Sequence, residues 1–283
     1  MIAAVIGDIV GSAFERQPIK TKDFPLFSEA SHFTDDTVMS LALAEALMRS
    51  DLDSDRQVHG LAKQARLAFL NYYRSYPDLD YGTHFRAFLE AGAKSPYGSY
   101  GNGAAMRISA VGLACQDLAE AKSLSYEVTA LSHNHPEAIR GAEALTVAIF
   151  LARRGFSKQA IRRQIERDYY RLDRCLDEIR PSYGIELSCQ ASVPEAIQSF
   201  LEAEDFEDAI RNAVSLGGDS DTLASMAAAI AGAYFPIPIT LRQTSEAYLD
   251  RRLRHCLDAF EARYPKFLAL AVFNTFSRKS PGA

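Results

Sequence analysis

Gly217-Gly-Asp-Ser-Asp-Thr-Leu-Ala-Ser-Met-Ala-Ala-Ala-Ile-Ala-Gly-Ala-Tyr234 is the stretch on which the fold turns. From Leu223 to Tyr234 it is dominated by Ala, Ser and Gly. Alanine is the best helix former, and a helix with so little side-chain bulk lets neighbouring backbones close on it. The stretch therefore predicts a central helix. Asp219-Ser220-Asp221-Thr222 opens it with residues that accept from free N–H groups, and Gly217-Gly218 suits a left-handed turn that closes the preceding segment.

Working outward, apolar residues recur at three- and four-residue spacing over Val38 to Met48, Val58 to Tyr73, Leu118 to Leu131, Pro136 to Ala152, Lys158 to Ile179, Val193 to Leu201 and Phe206 to Leu216. All are predicted helices. Ser192-Val-Pro-Glu195 reads as a capping box at the start of one of them. At the N-terminus Val5-Ile6 and Ile9-Val10 are β-branched, yet Gly7, Gly11 and Glu15 recur every four residues and suit one side of a close-packed helix better. Strands are scarce, so the predicted class is all-α. No Pro/Gly/Ser-rich linker, charge block or internal repeat divides the chain, which predicts one domain over 1–283 with a helical extension over 241–275.

Composition narrows the function. Lys+Arg 31 against Asp+Glu 36 leaves a net charge of -5, without the basic excess of a general nucleic-acid binder. The apolar runs Met226 to Phe235 and Phe267 to Phe273 are too short to span a bilayer, and Asp8 interrupts an N-terminal stretch that lacks a basic leader. No membrane partner is expected. Cys115, Cys175, Cys189 and Cys256 are widely spaced, which fits reduced thiols in the cytoplasm. Arg251, Arg252 and Arg254 read as a solvated helix face.

The sharpest chemical feature is a repeated turn: Thr34-Asp35-Asp36-Thr37 and Asp219-Ser220-Asp221-Thr222, each ahead of a predicted helix. Two readings stand. Asp and Thr cap helix N-termini, but one cap needs one residue. Paired carboxylates repel unless a cation lies between them, and hard oxygen donors suit Mg²⁺ or Mn²⁺ rather than zinc. If the turns converge, four carboxylates suffice for two ions about 3.5 to 4 Å apart.

GDIVGSAFE at Gly7 to Glu15, FTDDTVM at Phe33 to Met39 and GGDSDT at Gly217 to Thr222 together resemble the ADP-ribosylglycohydrolase family, which includes the dinitrogenase reductase-activating glycohydrolase. GSYGNGAAMR at Gly98 to Arg107 and SHNHPEA at Ser132 to Ala138 add to the resemblance, which spans residues 2–235 in the family's order. It implies a compact all-α domain with a binuclear Mg²⁺ or Mn²⁺ cleft. By motif, Thr34, Asp35, Asp36, Asp219, Asp221 and Thr222 would be the metal ligands and Glu15 the catalytic carboxylate. Arg16 departs from the pattern and would either lower the pKa of Glu15 or point to solvent. Gly98, Ser99, Tyr100, Gly101, Asn102 and Gly103 would contact ribose and diphosphate through a turn open to close approach, a packing turn being the alternative. Met106 and Arg107 are less defined, and Tyr81-Gly82-Thr83 matches too loosely to be assigned. His133 would contact nucleotide, with capping or packing as the alternative. His135, next to a helix-starting Pro136, would support the turn rather than bind metal. Phe24, Tyr97 and Tyr100 are either stacking groups or core.

The implied reaction is hydrolysis of an N- or O-glycosidic bond to ADP-ribose, with Glu15 transferring a proton. Its substrate would be an ADP-ribosylated protein, nucleic acid or small conjugate. Two rivals carry different signatures. A non-catalytic binder that blocks an ADP-ribosylating toxin would release no product, and a metal phosphohydrolase would yield AMP.

Overall fold

The computed structural model describes residues 1–50 and 60–265. Its helices are, in order, α1 (Ile2–Ser12), α2 (Asp35–Arg49), α3 (Leu61–Ser75), α4 (Thr83–Glu90), α5 (Gly103–Met106), α6 (Ser109–Ala114), α7 (Leu118–Thr129) and α8 (Pro136–Arg153). They continue with α9 (Lys158–Asp168), α10 (Leu176–Ile179), α11 (Cys189–Glu202), α12 (Phe206–Val214), α13 (Ser220–Tyr234), α14 (Ile239–Glu246) and α15 (Arg251–Arg263). Among the described residues the only β pairing is an isolated bridge between Gly101 and Ser188. The all-α expectation holds. No helix among these residues is long and apolar enough to cross a membrane.

Two helices form the centre. Every residue of α1 is buried, as is α13 from Ser220 to Ala233. They lie along each other, and α2, α5, α6, α8, α11 and α12 pack around α13. The contact is backbone on backbone. A Cβ added to Gly7 would stand 2.2 Å from the Ala224 carbonyl oxygen, and one on Gly11 would stand 2.4 Å from that of Ser220. Only hydrogen fits at either position, so the spacing read in the sequence marks the seam between the two helices. Gly217 has φ +62°, the left-handed turn expected after α12.

Three expectations are corrected. The segment predicted as one helix over Lys158 to Ile179 breaks after Asp168, because adjacent Tyr169 and Tyr170 both turn inward, to 6% and 7% exposure. Neighbours on a helix point about 100° apart and cannot share so narrow a face. Ser192 is not a cap: α11 starts a turn earlier, the Ser192 hydroxyl donates back to the Ser188 carbonyl, and Glu195 pairs with Arg174. Glu15 is not on α1, which ends at Ser12. Beyond 241 the described residues form the rest of α14 and α15, and the part of the expected extension over 266–275 lies outside the described residues, as do Val58 and the run Phe267 to Phe273. Arg252 stacks 4.0 Å over Tyr72 and Arg254 reaches Glu246, which makes the arginine face an ordinary surface.

Candidate functional site

The first acidic turn is built on a residue at the middle of α1. Asp8 is fully buried, and its carboxylate accepts from the Thr34 amide at 3.0 Å, the Thr34 hydroxyl at 2.7 Å and the Thr37 amide at 3.2 Å. The Thr37 hydroxyl donates to it as well. With backbone and side chain of both threonines tied to one anion, the start of α2 has a single arrangement. Thr34 then caps the helix, its hydroxyl accepting from the Asp36 amide at 3.1 Å. Asp8 enters the sequence reading only as a charge interrupting an apolar run, and no local spacing signals its partners.

The second turn arrives at the same place. Thr222 donates to Asp36 at 3.5 Å, joining the turns, and Asn102 donates to Asp219 at 2.6 Å. Glu15, half-buried just past α1, brings a carboxylate oxygen to within 4.8 Å of those of Asp219 and Asp221, which lie as close to each other. No Lys, Arg or His among the described residues pairs with Asp8, Asp35, Asp36, Asp219 or Asp221.

That concentration of carboxylates is electrostatically costly. Burial and then Asp8 push Asp35 up to about 8, and Asp36 and Asp221 rise well above the usual range, first from burial and then from neighbouring aspartates. Burial raises Asp8 and Asp219, and burial with Asp219 raises Glu15. Asp36 Oδ2 and Asp221 Oδ1 are buried with no hydrogen-bond partner. Orphaned buried oxygens on two carboxylates of this cluster, with no paired cation, are the pattern a divalent cation would satisfy, and an all-oxygen donor set fits Mg²⁺ or Mn²⁺.

These groups line one cavity of about 460 Å³, within the range of small-molecule sites. Glu15, Asp35, Asp36, Asp219, Asp221 and Thr222 form its acidic end. Ser99, Gly101, Asn102, Gly103 and His133 stand on its wall, with Tyr97, Met106 and Arg107. Gly98, at φ +72°, and the half-exposed Tyr100 face an adjoining groove instead, together with Lys94 and Phe88. Thr34 sits behind the cavity wall, held by Asp8. Phe24 is core, edge-on to Phe14. His135 caps α8 through the Glu137 amide, as expected. Arg16 points to solvent and pairs with Asp80 at 2.8 Å. Sequence reading missed Asp80, His84 and Phe85, which bring the turn around Gly82-Thr83 onto the cavity.

The chain matches the family model described as ADP-ribosylglycohydrolase over residues 1–271. It is 27% identical to human ADP-ribosylhydrolase ARH3 across 88% of each chain. An uncharacterized protein of Archaeoglobus fulgidus is 29% identical over 74% of each. Among solved structures, an ADP-ribosylglycohydrolase-related protein complex superposes with a TM-score of 0.67 at 24% identity, covering 92% of this chain and 94% of that one, which shows a shared fold.

Proposed function

Since the chain belongs to the ADP-ribosylglycohydrolase family, we propose that it hydrolyses the glycosidic bond between ADP-ribose and an attached acceptor, using divalent Mg²⁺ or Mn²⁺. The observation that carries this reading is the meeting of Glu15 with Asp219 and Asp221 at the acidic end of a cavity whose wall carries Ser99, Gly101, Asn102 and Gly103. Asp35, Asp36, Asp219, Asp221 and Thr222 would hold two cations, with Thr34 supporting or completing the set. When bound, the cations would neutralise the carboxylates and supply positive charge to the hydroxyls of the distal ribose.

The chain's own groups supply the rest. The amide of Gly103, with Ser99 and Asn102, would seat ribose and diphosphate oxygens beside Gly101, whose own amide donates to the Ser99 hydroxyl at 3.0 Å, and Gly98 and Tyr100 would act where the cavity opens to the groove. Glu15 stands at the acidic end without being sealed in. It is placed to take a proton from the attacking water or to give one to the departing acceptor. The relatives named ADP-ribosylhydrolase support an ADP-ribose conjugate as substrate, and an ADP-ribosylated protein, nucleic acid or small conjugate are the acceptors proposed.

Purified protein with Mg²⁺ or Mn²⁺ should release ADP-ribose from a panel of arginine-, serine- and DNA-linked conjugates. AMP as the product would point to a phosphohydrolase, and binding without product would point to a non-catalytic binder. Glu15→Gln should lower kcat by about a thousandfold while Mn²⁺ and ADP-ribose affinities hold. An unchanged kcat would remove Glu15 from the reaction.

A further inference from the structure

Arg107 is 1% exposed, held between Phe69 and Phe85 with its guanidinium carbon 4.8 and 4.9 Å from the two ring centroids. No carboxylate among the described residues lies within ion-pair distance of it, and its Nη1 has no hydrogen-bond partner. A buried cation without a counter-charge is costly, so the contacts it does make call for explanation. Its Nη2 donates to the Ser132 hydroxyl at 2.6 Å and lies 3.3 Å from His133 Nδ1. The Ser132 oxygen is itself 2.7 Å from the same Nδ1.

A guanidinium has only hydrogens to offer, so toward Arg107 Nδ1 must be the acceptor. Ser132 already accepts from Arg107, and its own hydroxyl hydrogen is free to point at Nδ1. A hydrogen on Nδ1 would oppose the guanidinium. The single proton of a neutral ring therefore sits on Nε2. Burial and Arg107 also push His133 well below the usual histidine range, which disfavours a doubly protonated ring.

Nε2 faces the cavity. It lies 3.3 Å from the Tyr97 hydroxyl, and a Cβ built on Gly103 or Gly101 would stand 3.6 or 3.8 Å from it. His133 lines the cavity, and side chains in place of Gly101 and Gly103 would stand against this ring edge. We propose that Arg107 is a positioning residue, which holds His133 as the neutral Nε2–H tautomer so that the ring presents a fixed donor to an oxygen of the ADP-ribose moiety beside the 98–103 loop. The identity of that acceptor rests on the function proposed above. The tautomer does not.

Long-range ¹H–¹⁵N correlation spectra of the metal-free protein, assigned to His133 by the signals lost in His133→Gln, should show an unprotonated Nδ1 and a protonated Nε2. A wild-type His133 carrying its hydrogen on Nδ1 overturns the proposal, and this measurement needs no folded variant of Arg107. Arg107→Met should mix the tautomers and weaken ADP-ribose binding about tenfold in calorimetry, with part of the loss recovered in Arg107→Lys. His133→Gln, which removes the ring that Arg107 holds, should itself weaken ADP-ribose binding about tenfold, and adding Arg107→Met to it should cost little more. An equal tenfold loss in both backgrounds would mean that Arg107 acts on the ligand without His133, and would overturn the proposal. Wild-type protein that binds no ADP-ribose would count against the proposed function, while the spectrum still decides the role of Arg107.

Discussion

Asp8 carries more of the site's architecture than any residue that the motifs bring forward. Its carboxylate is the shared acceptor for the amides and hydroxyls of Thr34 and Thr37, all inside the protein. Removing it leaves those donors buried and unsatisfied, each costing on the order of 1 kcal/mol or more. Asp8→Ala should therefore lose about 3 kcal/mol in denaturant unfolding and weaken Mn²⁺ binding, because Asp35 and Asp36 leave their turn. A loss within about 0.5 kcal/mol would show that α2 fixes the turn without it. Such a residue is illegible in one sequence for a physical reason: its partners are 26 and 29 positions away, and a hydrogen bond across that gap leaves no periodicity. The aspartates of the two turns were legible because doubled carboxylates exceed what a cap requires. The placing of Glu15 beside them was legible only through the motif, since spacing alone would extend α1 three residues too far.

Between elements, the decisive contact is α1 on α13, and here the sequence was close to explicit. Small residues on both partners say that two backbones meet, and the geometry at Gly7 and Gly11 shows how tightly. A methyl group at either position must push the helices apart, which costs about 2 kcal/mol in a close-packed interior. The two should differ in what else they disturb. The added Cβ of Gly11→Ala meets Asp221 Cα at 2.5 Å, whereas that of Gly7→Ala meets Ala224 and Ser225, a turn further along α13. Both variants should unfold at lower denaturant, and Gly11→Ala alone should lose about tenfold in Mn²⁺ affinity measured by calorimetry. Equal Mn²⁺ affinities in the two would separate the helix seam from the acidic end. Where pattern reading failed, at the break after Asp168 and the early start of α11, the cause was tertiary. Two tyrosines claimed by the core ended one helix, and Ser188 in extended backbone opened the other before the residues that look like a cap.

Across the molecule, Asp36 and Thr222 come together from positions 186 residues apart, so the fold gathers charges that the unfolded chain keeps separate. That has a sign that can be measured. Asp8, Glu15, Asp35, Asp36, Asp219 and Asp221 are all raised above their ordinary values in the folded protein, Asp35 to about 8. Between the ordinary carboxylate range near pH 4 and about pH 8, the folded state thus binds more protons than the unfolded one, and stability falls as pH rises. The contribution is fully present below the lower limit and lost as pH passes the upper one. A divalent cation bound only by the folded cluster reverses the trend, since it replaces those protons and stabilises by mass action. Thermal melts of the chelated protein should show Tm decreasing from about pH 6 to pH 8, and millimolar Mn²⁺ should raise Tm most at the alkaline end. A chelated protein whose Tm rises over that interval, or a Mn²⁺ increment that does not grow with pH, would mean that the carboxylates are neutralised by something other than protons and metal.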